Sequence, residues 1–331
     1  MNRLLGISIF AISLILAWGW LEYDDFINNP LELPAEGLNY QLVSGTTVRG
    51  MANDLQQKGI IQKPVLLEFL ARWNGSASQL KAGEYYLPAA ITPPKLLEIL
   101  SSSQVVQHAL TIIEGWTFAQ MMGSVRTNPV LKQTLEGLDD AQIMTRLGFE
   151  GQHPEGRFYP DTYHFPMGTT DLQFLQRAYQ RMQKTLDEAW ADRVPDLPLK
   201  TPYEALILAS IIERETGLPE EREEIAGVFI RRLNRNMLLQ TDPTVIYGMG
   251  DRYDGNIRKR DLTRDTPYNT YTRKGLTPTP IAMPSGAAIR AALHPKPGKT
   301  LYFVATGEGG HYFSENLKQH NNAVRKYQLK R

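Results

Sequence analysis

Two carboxylates two positions apart, Glu213 and Glu215, close an apolar helix that starts near Tyr203. The polar run Gln240-Thr241-Asp242 follows, and then Tyr247. A carboxylate at the end of a buried helix, next to Gln, Thr, Asp and Tyr side chains, is what a single-acid carbohydrate cleft requires. The acid must be partly desolvated to stay protonated at neutral pH, and the polar groups must hold sugar hydroxyls. On a helix, positions two apart point about 200° away from each other. Glu215 shares its face with Leu208, Ile211 and Ile212, and Glu213 with Leu206, Ala209 and Ser210, which are smaller on average. Desolvation disfavours the charged form and moves a glutamate from about 4.3 towards roughly 6 or more, so the bulkier surroundings make Glu215 the candidate general acid. Glu213 is better placed for a salt bridge or a structural hydrogen bond. For both, the plain alternative is a solvated carboxylate near a helix end.

A second polar and aromatic cluster, Tyr268-Asn269-Thr270-Tyr271, lies further along the chain. With Gln240, Thr241, Asp242 and Tyr247 it offers ring faces for pyranose packing and amides for N-acetyl or hydroxyl groups. Asp242-Pro243 and Pro267-Tyr268-Asn269 are also ordinary turn sequences. A paired-carboxylate glycosidase needs a second acid roughly 5 to 9.5 Å from the first, and Asp242 is the best candidate for it. Glu155 and Asp161 are loop acids that either line the same cleft or cap neighbouring backbone, with capping favoured. The chain has no G-x-S-x-G, H-E-x-x-H or P-loop sequence. Its six histidines are scattered, and His311 reads as a core or edge residue. No metal site and no cofactor is expected.

The elements that must position these groups are legible in outline. The 331 residues allow two domains, or one larger domain and a small module. With 36 basic and 35 acidic residues the chain shows no excess that would favour nucleic acid as a partner. There is no cysteine, so no disulfide framework and no thiolate chemistry. Leu4 to Leu21 carries no charge and as a helix spans roughly 27 Å, close to a bilayer core. Trp18, Trp20 and Tyr23 suit the far interface. Arg3 before the apolar run and Glu22, Asp24 and Asp25 after it leave residues 1–3 in the cytoplasm and export the rest. A cleaved signal peptide is the alternative, but no small-x-small cleavage site follows the run.

Residues 22–37 read as a linker, with no helical period from Asp24 to Gly37. Residues 38–103 read as a small α+β module of strand, helix, helix and strand, which resembles a LysM-type glycan-binding module; a generic packing module is the equal alternative. Residues 104–331 form the larger α+β domain. It has a strand and turn ending at Glu114-Gly115-Trp116, mostly helix from Phe118 to Leu147, and an amphipathic helix over 171–190. The two helices of the glutamate segment follow. The chain is then loop-rich from Tyr247 to Ser285, and ends in a short helix, the strand Leu301–Ala305, His311-Tyr312-Phe313 and a polar helix.

The segments Ala209–Thr216, Leu239–Gly248, Tyr268–Tyr271 and Tyr302–Ala305 with His311-Tyr312-Phe313 resemble those of the MltG (YceG-like) endolytic murein transglycosylases, and the likeness covers nearly the whole chain. The resemblance implies an α+β fold with one N-terminal transmembrane helix, a LysM-like module and a catalytic domain whose helical core carries the acid, the second Glu of Glu-x-Glu-Thr, here Glu215. It implies non-hydrolytic cleavage of the MurNAc-β-1,4-GlcNAc bond within nascent glycan strands of peptidoglycan, leaving 1,6-anhydroMurNAc ends and terminating strand elongation. It further implies the bacterial inner membrane, with the catalytic domain on the periplasmic side, and peptidoglycan synthases (penicillin-binding proteins) as partners. Two rivals remain: a hydrolytic muramidase with Asp242 as base, and a membrane-anchored peptidoglycan-binding scaffold without catalysis.

Overall fold

The computed structural model describes residues 2–329, with side chains from Leu5 onward. Met1 and the side chains of the expected cytoplasmic tail lie outside the described residues, as do positions 330 and 331. The fold is mixed α+β in two compact units, one running to His108 with 164–168 added, the other comprising 109–163 and 169–331.

The first unit opens with α1 (Asn2–Asn28), whose stretch from Leu5 has a mean hydropathy of 1.8 and is long and apolar enough to cross a membrane. The linker was expected to be irregular from Asp24, but α1 continues to Asn28. No glycine or proline lies between Asp24 and Pro30, and Tyr23, Phe26 and Ile27 pack into the core of this unit. Strand β1 (Leu38–Leu42) pairs antiparallel with β2 (Gly83–Leu87), Tyr40 opposite Tyr85. Between and after them come α2 (Val48–Gln57), α3 (Pro64–Trp73) and α4 (Pro93–Ser101). Thr47 caps α2 by accepting the Gly50 N–H at 3.1 Å. The core is Tyr40, Met51, Leu55, Leu67, Tyr85, Leu96 and Leu97 with their neighbours.

The division between the units falls inside β3 (Gln107–Thr111) and β4 (Thr162–Pro166). In the second unit the stretch expected to be mostly helix is two helices, α5 (Phe118–Thr127) and α6 (Asp140–Leu147). Pro129 supplies no N–H to prolong α5, and the irregular segment is instead fixed by Asp171. This carboxylate is buried and accepts the N–H groups of Thr134 and Leu135, each at 2.9 Å, and the Thr134 hydroxyl at 2.5 Å. Asp171 begins α7 (Asp171–Ala191).

Helix α8 (Pro202–Glu215) is buried all round from Ala205 to Ile212, as the central helix of a helical layer must be. It packs on α7, α9 (Arg222–Asn234), α10 (Asp242–Met249) and α12 (Gly286–Leu293). Helix α10 occupies sequence that reads as a turn; Asp-Pro also opens helices, because proline suits the first helical turn. A short α11 (Lys259–Thr263) interrupts the loop-rich stretch. The hairpin β5 (Tyr302–Ala305) and β6 (His311–Ser314) and the helix α13 (Leu317–Tyr327) complete the unit.

Replacing Asp171 by alanine strands the buried N–H of Leu135, costing about 1–3 kcal/mol, and takes the acceptor from the part-buried N–H of Thr134. Asp171→Ala should therefore lower the unfolding free energy by roughly 2 kcal/mol or more. Urea denaturation checks this, and a loss under about 1 kcal/mol would contradict the pinning role.

Candidate active site

Glu213 and Glu215 leave the last turn of α8 in different directions and meet different chemistry. Glu213 accepts the N–H of Ser285 at 2.9 Å and its hydroxyl at 2.5 Å, with the Arg222 guanidinium 3.8 Å away. Ser285 is the N-cap of α12, so this carboxylate ties the end of one buried helix to the start of another. This is the structural hydrogen bond that the sequence suggests for Glu213.

Glu215 opens onto a cleft of about 540 Å³. Gln240, Asp242 and Tyr271 line it, together with Arg232 of α9, the inward face of the β5–β6 hairpin and one side of α13. The Glu215 carboxylate accepts a short hydrogen bond from the Thr241 hydroxyl. Burial pushes Glu215 up to about 7; the Thr241 bond opposes the rise, and the neighbouring Asp242 charge adds to it. The carboxyl is thus protonated in a sizeable fraction at neutral pH, the condition for donating a proton to a leaving group.

The polar residues expected around this acid divide into two layers. Gln240, Asp242 and Tyr271 reach the cleft itself. The Tyr271 hydroxyl donates to Asp242 at 2.6 Å. Gln240 has a φ of 53°, a left-handed conformation uncommon for a residue with a side chain. Its N–H is satisfied by the Thr270 carbonyl at 3.1 Å. Thr241 is buried behind Glu215, its N–H donating to the Thr270 hydroxyl at 3.0 Å. Tyr247, Tyr268 and Asn269 do not line the cleft. The Asn269 amide donates to the carbonyls of Asp261, Leu262 and Arg264, and its oxygen accepts the Tyr271 N–H at 2.8 Å, so it sets the loop that presents Tyr271. Tyr247 and Tyr268 stack edge to face, 4.9 Å between centroids, and Tyr268 bonds Thr279 at 2.9 Å.

The Tyr247 hydroxyl donates to Glu155 at 3.0 Å. Glu155 is a second carboxyl driven up to about 7 by burial, against the Phe118 N–H that it accepts at 2.9 Å at the start of α5. It caps a helix away from the cleft. Gly156 beside it has a φ of +75°, and a Cβ there would come within 2.5 Å of Pro280. Asp161 pairs with Arg181 at 2.8 Å.

Sequence reasoning missed the hairpin wall. Tyr302, Phe303 and His311 line the cleft, and His311, expected in the core or at an edge, is held by Glu221. Glu221 accepts the His311 N–H at 2.6 Å and contacts its Nδ1 at 2.7 Å, while taking the Thr216 hydroxyl at 3.1 Å. This acid joins the residue after Glu215 to β6. The density of aromatics in Tyr302-Phe303 and His311-Tyr312-Phe313 was the available signal. Arg232 had none: it is buried, donates to the carbonyls of Leu301 and Leu239 at 2.7 and 2.8 Å, and lies 5.0 Å over the Tyr302 ring.

The unequal environments of the two glutamates predict opposite stability effects. Glu213→Gln removes a charged acceptor from a helix cap and should cost about 1.5–3 kcal/mol. Glu215→Gln relieves a desolvated carboxyl and should leave thermal stability unchanged or slightly raised. Calorimetry of both variants decides, and the reverse order would contradict the division of roles.

Residues 40–326 match the model of the YceG-like family. The chain is 31% identical to the endolytic murein transglycosylase of Bacillus subtilis (strain 168), the match covering 95% of this chain and 91% of that one. It is 27% identical to the endolytic murein transglycosylase of Streptococcus pneumoniae serotype 2 (strain D39), over 95% of this chain but only 63% of the longer pneumococcal protein. A crystal structure of a yceG-like protein from Listeria monocytogenes superposes with a TM-score of 0.56 at 29% identity, covering 87% of this chain and 99% of that one.

Proposed function

The chain belongs to the YceG-like family, and from that premise we propose that it is a peptidoglycan lytic transglycosylase with Glu215 as acid and then base. Cleavage of peptidoglycan is the activity in the names of its relatives. The observation that carries the mechanism is a single carboxyl, pushed up to about 7, at the wall of a polar and aromatic cleft.

Protonated Glu215 gives its proton to the bridging oxygen of a MurNAc-β-1,4-GlcNAc bond. The bond to C1 breaks with oxocarbenium character. The C6 hydroxyl of the same muramyl residue then attacks C1 and yields its proton to the carboxylate, regenerating the acid. The products are a new GlcNAc end and a 1,6-anhydroMurNAc end, and no water is consumed. One carboxylate suffices because the nucleophile is internal to the sugar. A hydrolytic route would need a second carboxylate free to activate water; Asp242 is already engaged by Tyr271, which disfavours it as that base. Gln240, Asp242 and Tyr271 are the proposed sugar contacts, with Tyr302 and Phe303 as an opposing aromatic wall. Thr241 tunes the acid, and Tyr247, Tyr268 and Asn269 support the loops from behind.

Within this reading α1 is a single-pass anchor in the bacterial inner membrane and the remainder lies outside the cytoplasm. The partners are nascent glycan strands and, through them, peptidoglycan synthases, whose strand elongation the cleavage would terminate. The LysM-like module of 38–103 and the catalytic domain of 104–331 are the proposed division of labour.

Incubation with purified sacculi or nascent strands and mass spectrometry of the fragments tests this. Anhydro-terminated fragments are expected from the native chain, and a loss of about 100-fold or more from Glu215→Gln. Water-added ends would establish the muramidase, and activity retained in Glu215→Gln but lost in Glu213→Gln would move the acid to Glu213. Activity should also fall as pH rises through about 7, as the acid loses its proton. Thr241→Val removes a bond that favours the carboxylate, so this alkaline limb should move to higher pH; a limb that stays or moves down would contradict the tuning role.

A further inference from the structure

Helix α3 presents Val65, Phe69 and Trp73 to the outside, 74%, 50% and 78% exposed. Spaced by four, they form one face, while Leu67, Leu70 and Ala71 bury the other in the core of the first unit. Three such residues on one short helix are an apolar patch that needs an occupant. The patch is continuous with the end of α1. Trp20 and Tyr23 lie 6.3 Å apart, Tyr23 meets Phe69 edge to face at 5.7 Å, and Phe69 stacks on Trp73 at 5.9 Å. A ladder of four rings therefore runs from the apolar helix onto α3.

The direction of α3 follows from two contacts. Lys63 pairs with Glu22, and Phe69 touches Tyr23. Lys63 is the N-cap of α3 and Phe69 lies six positions on, about 9 Å at helical rise, while Glu22 and Tyr23 are adjacent on α1, about 1.5 Å apart. The first half of α3 is thus held at one level of α1, where the apolar run gives way to Glu22. The charges beside this face sum to one positive. The one acid of α3, Glu68, is paired with Arg49 of α2 at 3.1 Å and with Arg72 at 2.5 Å, and both arginines are well exposed.

We propose that the Val65–Phe69–Trp73 face of α3 docks into the extracytoplasmic interface of the same bilayer that α1 spans, as an in-plane amphipathic helix. Aromatic side chains at headgroup depth, next to cations that meet anionic lipid, are the chemistry of that region. The anchor is then a two-point attachment, a spanning helix and a surface helix joined by the ring ladder, which fixes the first unit against the membrane. This rests on α1 being a membrane span, as proposed above.

The chain has no cysteine, so Val65→Cys in the full-length protein carries a single NBD fluorophore. The labelled protein is reconstituted in phosphatidylethanolamine–phosphatidylglycerol vesicles, with and without lipids spin-labelled near the top of the acyl chain. The dye's cysteine adduct in buffer gives the water value. Blue-shifted emission at position 65, quenched by the shallow spin label, is expected, and both effects should be lost when Trp73→Glu is added. Leu14→Cys, labelled in the same way, reports on the anchor. Buried emission at 14 with water-like emission at 65 would overturn the docking and leave the span standing. Water-like emission at both would overturn the span and the docking with it. A buried signal at 65 that survives Trp73→Glu would overturn the aromatic face as its cause.

Discussion

The carboxyl of Glu215 is largely desolvated at the wall of an open cleft, and the rest of the second unit is arranged so that it can be. Burial raises its proton affinity, and a single hydroxyl, Thr241, partly offsets the rise. That balance requires a dry helix end beside an open groove. Helix α8 supplies the dry end because α7, α9, α10 and α12 surround it, leaving only its last turn to face the cleft. The glutamate two residues earlier shows the other arrangement, a carboxylate engaged by the N–H and the hydroxyl of Ser285.

The two glutamates show how one helix turn serves two purposes. Glu213 is saturated by Ser285 and binds α8 to α12, so its value lies in holding the layer together. Glu215 has few partners, and its value lies in what it can give up. Behind it, Thr241, Thr244 and Thr270 bond one another at 2.8–3.0 Å and fix the loop on which the strained Gln240 stands. A residue held in a costly backbone region persists only where its surroundings over-determine it, and such positions gather at working sites.

Much of this was legible in the sequence, and the gaps have physical reasons. Helical spacing put Glu213 and Glu215 on different faces, but α8 is buried on all sides, so the partners each carboxylate meets separate them more than apolar spacing does; the elements of the first unit followed from their caps and prolines. The second polar layer was harder. Asn269 looked like a sugar contact, yet its amide serves three backbone carbonyls of a loop that carries no periodic signal. Tyr247 faces Glu155, an acid 92 positions earlier, which only tertiary folding brings near. Arg232 and the hairpin wall were invisible for the same reason: a cleft assembled from distant segments leaves no local pattern. The extension of α1 to Asn28 escaped notice because acidic residues mask a helix whose apolar face is spent on a neighbouring core.

The proposed chemistry reduces to whether one side chain keeps its proton near neutrality. Glutamate labelled with ¹³C at the side-chain carboxyl lets this be followed by NMR across pH, and the difference between the native chain and Glu215→Gln isolates the signal from Glu155, which also titrates high. A midpoint near 7 for that signal is the expected result. A midpoint at the ordinary glutamate value of about 4.3 would contradict it and remove the basis for a single-acid mechanism.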